Sequence, residues 1–231
     1  MEERRNLKSG RKILLFGIGL VLGFVLWTML IQTADVQPIG QNGTNIGFAS
    51  FNRWFFNLTG VHMTLYTVTD WLGLVPIFVC MAFGGIGTDQ LIMRKSLLKV
   101  DYDIIILGIY YVIVTFGYLI FEMIPINYRP IPIEGHMEAS YPSSTTLLVL
   151  SVMPTLVFQA DRRLKSAVKK KVITYSAVVF SAFMVIGRLV SGVHWFTDIF
   201  GGALLSGGLF YIYKGAVLMA DMGKMADKVK K

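Results

Sequence analysis

Two arginines, one histidine and one aspartate in the second half of the chain have the types and spacing for chemistry on a phosphate group. Arg129 and Arg188 each offer a planar fork of N–H donors that matches phosphate oxygens. His194 and Asp198 are four residues apart, so on a helix they would share one face. An aspartate that accepts from one imidazole nitrogen leaves the other nitrogen free as a nucleophile. These residues predict phosphoryl transfer through a phosphohistidine.

The segment Pro142-Ser143-Ser144 stands directly before an apolar run and has the pattern of a helix start. Proline closes the loop, and either serine can cap the first helical turn. A helix start also presents unpaired N–H groups and the positive end of the helix dipole, which favour a bound anion. Ser143 and Ser144 therefore join the two arginines as candidate phosphate-binding residues.

Six apolar runs are the elements that must position these residues. Hydrophobic residues make up 54% of the 231 residues and charged residues only 16%, which is too apolar for a soluble domain of this length. A helix that crosses a ~30 Å hydrocarbon core needs about 20 residues. The runs are Ile13–Ile31, Trp71–Ile86, Ile104–Phe121, Thr145–Phe158, Val172–Ile186 and Ile199–Leu218. They predict an all-α, polytopic membrane protein with six transmembrane helices.

The chain shows no internal repeat, and we interpret residues 1–231 as a single integral membrane domain. Its motif-bearing core covers about residues 104–218. The first apolar run is longer than the ~7–15 apolar residues of a secretory signal peptide, so we interpret it as an uncleaved anchor.

Positive charge is distributed unevenly between these runs. All but three of the 22 lysines and arginines lie before the first run, after the second, after the fourth, and in or after the sixth. Short loops rich in Lys and Arg stay in the cytoplasm. We therefore expect a multi-pass plasma-membrane protein with both termini in the cytoplasm and the candidate site facing outside. The +8 net charge then indicates contact with anionic headgroups, and not with nucleic acid.

Three segments are expected on the outer side. The longest covers about residues 33–70, and its aromatic residues are typical of a membrane interface, which predicts a short helix on the membrane surface. These aromatic residues are Trp54, Phe55, Phe56, Tyr66 and Trp71. The other two segments, 121–144 and 187–198, carry the candidate site residues. Short connections keep neighbouring helices close, so the two arginines should meet in one volume, where they would repel each other unless an anion lies between them.

Three motifs over about residues 121–218 resemble those of the type-2 phosphatidic acid phosphatase superfamily of membrane lipid phosphatases, which includes undecaprenyl-diphosphatase-like members. That family carries Lys-x6-Arg-Pro, Pro-Ser-Gly-His and Ser-Arg-x5-His-x3-Asp. Here the same positions read Glu122-x6-Arg129-Pro130, Pro142-Ser143-Ser144-Thr145 and Gly187-Arg188-x5-His194-x3-Asp198.

The resemblance implies an acid-phosphatase-like helical bundle and assigns roles to the motif residues. His194 would be the nucleophile and Asp198 the residue that orients it. Arg129, Arg188 and Ser143 would hold the phosphate. The resemblance implies no metal ion and no other cofactor.

Three motif positions depart from the family: Thr145 replaces the histidine that protonates the leaving group, Glu122 replaces a phosphate-binding lysine, and Gly187 replaces a serine. A general acid contributes ~10²–10⁴-fold, and it matters most for an alkoxide, whose conjugate acid has a pKa near the ~15.7 of water. A phosphate leaving group, with a second pKa of about 6, departs without a proton. We therefore expect activity to favour a pyrophosphate anhydride, such as a polyprenyl diphosphate, over a simple phosphate ester.

Other residues of the second outer segment offer a substitute acid. His136, Glu134 and Glu138 lie on the same loop as Arg129. Glu122 has two interpretations: it pairs with Arg129 or Arg188 and weakens phosphate binding, or it ends a helix in water.

The sequence thus predicts a membrane lipid phosphatase that acts on a lipid phosphate or polyprenyl diphosphate at the outer membrane face. Two alternatives stay open. One is a catalytically impaired relative that binds or transports a phosphorylated lipid, and the other is a scaffold whose motif residues only hold helices together. The predicted partners are a phosphorylated lipid substrate and membrane lipids, without nucleic acid, and the oligomeric state is not predicted.

Overall fold

A computed structural model describes the backbone of residues 2–229 and the side chains of residues 9–223. The basic residues at positions 4, 5, 8, 224, 228, 230 and 231, which entered the charge argument, lie outside the described side chains. The described chain is built from α-helices joined by loops and short 3-10 turns. The helices are α1 (Glu2–Thr33), α2 (Ala49–Thr59), α3 (Met63–Leu72), α4 (Leu74–Arg94), α5 (Tyr102–Met123), α6 (Ser144–Arg163), α7 (Ala167–Val190) and α8 (Phe196–Val229).

Six segments of the described chain are long and apolar enough to cross a membrane, which confirms the predicted all-α, six-span architecture. They are Ser9–Thr33, Met63–Arg94, Tyr102–Met123, Ser144–Arg163, Ala167–Val190 and Phe196–Gly223. The second span is longer than expected because α3 continues almost directly into α4. This helical segment begins at Met63, inside the stretch of about residues 33–70 that was predicted as the outer interfacial segment. That the stretch lies outside the membrane stays a prediction.

Helices α1 and α8 pack closely against each other and run antiparallel, with Gly10 beside Met219 and Gly17 beside Ile212. A Cβ atom on Gly17 would lie 2.6 Å from the backbone nitrogen of Ile212. Small residues let transmembrane helices approach to backbone contact, which maximises van der Waals packing where lipid offers no hydrophobic driving force. The first and last spans are therefore held together by close helix–helix packing.

An ion-pair network closes one end of the bundle. Asp103, at the start of α5, is 5% exposed and lies 3.3 Å from Arg162 and 2.8 Å from Arg163, both at the end of α6. Arg162 also pairs with Asp221 of α8 at 2.8 Å. Charges of opposite sign compensate here, so the network joins α5, α6 and α8.

The motif residues lie at the other end, which we call the motif end. Here α1 ends, α5 ends, α6 begins, α7 ends and α8 begins. The predicted short helix is present as α2, which buries Asn52 against Thr197 with a 3.0 Å hydrogen bond and exposes Trp54 and Leu58. Its place on a membrane surface stays a prediction.

Candidate active site

The start of α6 is tied to the start of α8. Ser143 caps α6, because its Oγ accepts from the backbone N–H of Thr146 at 3.4 Å, which confirms the helix start predicted from Pro142-Ser143-Ser144. The Ser143 N–H in turn donates to the backbone carbonyl of Asp198 at 3.0 Å. The two motifs, more than fifty positions apart in sequence, are therefore joined by a backbone hydrogen bond.

His194 lies in the loop before α8 and not on the helix that carries Asp198. Both side chains are buried, and Nδ1 of His194 is 3.7 Å from Oδ2 of Asp198. That distance is longer than a hydrogen bond, so the two side chains are close neighbours without a hydrogen bond between them in this structure. Asp198 is itself fixed by two donors, Asn127 Nδ2 at 3.1 Å and the Trp195 N–H at 2.9 Å.

The second nitrogen of His194 faces an arginine. Arg129 Nη1 lies 3.4 Å from His194 Nε2. Arginine can only donate, so this contact requires Nε2 to be the acceptor and leaves the proton on Nδ1, toward Asp198. Burial, followed by the positive charges of Arg129 and Arg188, holds the pKa of His194 well below its usual 6.5. The imidazole is thus neutral, and the electron pair on Nε2 points toward Arg129.

Arg129 is 8% exposed and has a carboxylate partner. Its Nε is 3.0 Å from Oε2 of Glu138, with the geometry of an ion pair and not of a directed hydrogen bond. The backbone of the two residues is also joined, because Arg129 N–H donates to the Glu138 carbonyl at 3.1 Å. The loop between α5 and α6 therefore folds back on itself and holds Arg129 against His194.

Arg188 is buried near the end of α7 and makes contacts in three directions. Its Nε and Nη2 donate to Thr145 Oγ1 at 2.9 and 2.5 Å. Nη2 also donates to Asp70 Oδ1 at 2.9 Å, and the ring of Tyr66 lies 4.8 Å from the guanidinium carbon. Nη1 is buried and has no partner among the described residues. A buried N–H donor without an acceptor costs free energy, so Nη1 is suited to an incoming anion.

A cavity of ≈ 240 Å³ opens beside these groups. Arg129, Glu138 and His194 line one side of it, and Ser144 lines it at the start of α6. The unpaired amides and positive dipole end of a helix start favour an anion in such a place. Arg129, His194 and the start of α6 therefore line one polar cavity.

Comparison with known protein families accounts for this arrangement. The PAP2 superfamily matches residues 104–220, which include the three motifs and extend from α5 into α8. The chain belongs to the PAP2 superfamily. This membership supports the interpretation as a membrane lipid phosphatase.

Two relatives extend the PAP2 similarity over almost the whole chain. Phosphatidylglycerophosphatase B of Bacillus subtilis (strain 168) is 26% identical over 223 residues, covering 89% of this chain and 94% of the relative. The solved structure of a transmembrane PAP2-type phosphatidylglycerolphosphate phosphatase from Bacillus subtilis matches with a TM-score of 0.63 at 21% identity. That match covers 87% of this chain and 95% of the other. Both matches cover more of the chain than residues 104–220, so the similarity also includes part of the chain before α5.

The structure shows what each of the three residues that depart from the PAP2 motifs contacts. Thr145 binds Arg188, as described above. Gly187 faces α3, and a Cβ there would lie 2.7 Å from Thr69 Cγ2. Glu122 is exposed and lines the cavity, while the ion pairs of the two arginines are made by Glu138 and Asp70 instead. The two arginines are thus already compensated in part by the protein's own carboxylates.

The residues predicted as substitute acids lie in different places. Glu138 lines the cavity beside Arg129, as given above. His136 is exposed in the tight turn that pairs Ile133 with His136, and it is not among the residues that line the cavity. Glu134 is exposed in the same turn.

Three residues of the site were missed by the sequence reasoning: Asn127, Tyr66 and Asp70. Asn127 is a buried amide inside the first motif, and its position two residues before Arg129 was the available signal. Tyr66 was predicted to belong to an interfacial belt, yet its ring lies against Arg188 and also 5.8 Å from Arg129. Asp70 was predicted to lie in the outer segment, and it becomes a functional candidate as an ionisable residue of a spanning segment only because that segment begins at Met63.

Proposed function

We propose that this protein is a lipid phosphatase of the plasma membrane that cleaves the phosphate from a lipid phosphomonoester at the outer membrane face. One observation carries the proposal. Buried Arg129 contacts a neutral histidine, and Nη1 of buried Arg188 has no partner among the described residues. Compensated arginines with a vacant donor suit a reversible phosphate ligand better than a purely structural role.

The reaction proceeds in two steps through a phosphohistidine. Nε2 of His194 attacks phosphorus and the bond to the lipid oxygen breaks, while Arg129 and Arg188 stabilise the charge on the equatorial oxygens. Asp198 faces Nδ1–H and stabilises the imidazolium that develops. Water then displaces the histidine and releases phosphate. Ser144 and the first turn of α6 contribute to the phosphate site, and Ser143 supports it by capping that turn.

The orientation rests on the ends of the bundle. Arg94, Arg162 and Arg163 lie at the end opposite the motif end, where the ion-pair network joins the helices. The positive-inside rule assigns that end to the cytoplasm together with both termini, which leaves the cavity outside.

A lipid phosphomonoester is favoured as substrate by the charge around the cavity. Glu122 and Glu138 line the cavity with Arg129, and Asp70 lines the adjoining groove, so the additional negative charge of a diphosphate would be poorly compensated. The Bacillus subtilis relative is named for a substrate of this class, which makes a glycerophospholipid phosphate the first candidate.

A polyprenyl diphosphate is the second candidate, and Thr145 favours it. Threonine cannot protonate a leaving alkoxide, whereas a phosphate leaving group needs no proton. A second class of function is that of a catalytically impaired binder or transporter of phosphorylated lipids. Such a protein would bind phosphate through the arginines but would not hydrolyse the lipid.

The test is phosphate release by purified protein from phosphatidylglycerophosphate, phosphatidate and a polyprenyl diphosphate, with a chelator and no added metal. Wild type is expected to release phosphate, and His194→Ala to lose at least ~10³-fold of it. Orthovanadate should bind wild type and His194→Ala, and bind Arg129→Ala and Arg188→Ala poorly. Vanadate binding without hydrolysis of any substrate would identify the protein as a binder of phosphorylated lipids. If the protein neither bound vanadate nor hydrolysed a substrate, the motif residues would serve only as a scaffold that holds helices together.

A further inference from the structure

A carboxylate on α3, that of Asp70, lies within the site although no PAP2 motif includes it. Oδ1 of Asp70 accepts from Arg188 Nη2 at 2.9 Å, and the same nitrogen donates to Thr145 Oγ1 at 2.5 Å. The two oxygens therefore share one nitrogen atom and are close neighbours. Position 145 is where the family has its proton-donating histidine, so a carboxyl group occupies the vicinity of the missing acid.

The residues at two motif positions that depart from the family, 145 and 187, allow α3 to lie close to Arg188. Gly187 has no side chain, and a Cβ there would lie 2.7 Å from Thr69 Cγ2 on α3. Thr145 is smaller than histidine and leaves room beside Arg188. Tyr66, one helical turn before Asp70, fills the remaining space with its ring against the guanidinium group. The departures at 145 and 187 and the insertion of α3 thus form one consistent packing arrangement.

Asp70 also faces open space where a lipid can lie. Its side chain is 57% exposed, although its partner Arg188 is buried. It lines an apolar groove of ≈ 420 Å³ together with Thr145 and Ser144. Ser144 and Tyr118 line both this groove and the polar cavity, so the groove and the cavity adjoin. If the phosphate of a lipid binds the arginines, its ester oxygen and acyl chains would lie in this groove, next to Asp70.

We propose that Asp70 is the general acid that protonates the leaving oxygen, in place of the absent histidine; this inference rests on the proposed function. A phosphate bound at the vacant Nη1 of Arg188 would lie beside the Asp70 carboxyl group, which accepts from Nη2 of the same guanidinium group. A carboxyl acid suits a reaction on a lipid phosphomonoester, for which an unassisted alkoxide would be the poorest leaving group.

The proton balance closes over the two steps. In the first, Nε2 of His194 bonds to phosphorus, the phosphorus–oxygen ester bond breaks, and the leaving oxygen takes the proton of Asp70 to become an alcohol. In the second, water attacks phosphorus, its proton passes to the Asp70 carboxylate, and the phosphorus–nitrogen electron pair returns to Nε2. Asp70 ends protonated, ready for the next cycle, and the product is inorganic phosphate.

Leaving-group dependence tests this role, because kcat/KM reports every step through departure of the leaving group. Three substrates with similar chains suffice: dodecyl phosphate, 4-octylphenyl phosphate and dodecyl diphosphate. Their leaving groups have conjugate-acid pKa values of about 16, 10 and 6, by analogy with water, tyrosine and phosphate. Asp70→Asn is expected to lose ~10²-fold or more on dodecyl phosphate, an intermediate factor on the aryl ester, and under about threefold on the diphosphate.

Glu138→Gln is the matched control, since Glu138 is the carboxylate that pairs with the other arginine. Its effect should be of similar size on all three substrates. An equal loss on all three substrates in Asp70→Asn would mean that Asp70 only positions Arg188, and would overturn the proposal. So would an unchanged kcat/KM on dodecyl phosphate.

A second variant shows whether the loss of activity in Asp70→Asn comes from a missing proton donor or from misfolding. Thr145→His in the Asp70→Asn background restores a proton donor and should recover at least tenfold on dodecyl phosphate; no recovery there speaks against a missing acid. Orthovanadate binding and a thermal melt report whether each variant is folded. If wild type cleaves none of the three substrates, it is the proposed function that fails, and not the assignment of Asp70 alone.

Discussion

Arg188 donates two hydrogen bonds to a single oxygen, Thr145 Oγ1, from Nε at 2.9 Å and from Nη2 at 2.5 Å. The position where the family carries a proton donor is thus occupied by an acceptor that holds an arginine in place. The residue at this position therefore has a different role here. Thr145 holds the guanidinium group, and under the proposed function another residue must protonate the leaving group.

The first prediction concerns this contact. Thr145→Val keeps the shape of the side chain but removes the acceptor of two N–H donors, which typically costs about 1–3 kcal/mol. Orthovanadate should bind ~10-fold or more weakly, measured as an inhibition constant. Thr146→Val is the control, because Thr146 Oγ1 is buried and has no partner among the described side chains, and this variant should bind vanadate like wild type. Equal affinities of the two variants would contradict the role given to Thr145.

The second prediction concerns the close approach of α3 and α7. Gly187→Ala places a Cβ 2.7 Å from Thr69 Cγ2, and such overpacking typically costs about 1–3 kcal/mol. A thermal melt in detergent should show a lower Tm, and dodecyl phosphate turnover should fall as Asp70 is pushed away from Arg188. Thr69→Ser removes the opposing methyl group, so the double variant Gly187→Ala/Thr69→Ser should recover both the Tm and the turnover of dodecyl phosphate.

Gly84→Ala is the matched control for that experiment. In the described part of the chain, a Cβ on Gly84 would meet no atom of another element within 4 Å, so the Tm of this variant should stay near that of wild type. A similar loss in Gly84→Ala would attribute the effect to glycine replacement in general and not to the contact with α3.

The third prediction concerns the protonation of His194. Burial and the two arginines lower its pKa, so the folded protein keeps this imidazole neutral at pH 6.5 and protonates it only at a lower pH. NMR of protein with labelled histidines can follow it, because the chain contains only three and His194→Ala assigns the signal. Arg129→Gln removes one repelling charge and should raise the pKa. A His194 that titrates at or above 6.5 in wild type would refute this account.

The fourth prediction concerns orientation in the membrane. In a Cys80→Ser background, Glu134→Cys puts a thiol on the loop beside the cavity, and Lys165→Cys puts one between α6 and α7. Both positions are exposed. A membrane-impermeant maleimide added to intact cells should label the first variant and reach the second only after lysis. The reverse pattern would turn the site toward the cytoplasm.

The six spans could be predicted from the amino-acid order alone, because a run of apolar side chains of membrane length carries its own signal. The start of α6 could be predicted in the same way, since a cap is a contact between residues three positions apart, here Ser143 and Thr146. The motif spacing was enough to bring Arg129, Arg188 and His194 to one end of the bundle.

The groups that surround those residues depend instead on the folded bundle. Arg188 and Asp70 are 118 positions apart, and their contact depends on how closely α3 can approach α7, which the absent side chain of Gly187 permits. Likewise, His194 precedes α8 and meets Arg129 because a folded loop holds Arg129 there, and helical periodicity could not predict this. Local patterns determine elements, whereas the partners of a buried charge depend on the packing of all the helices together.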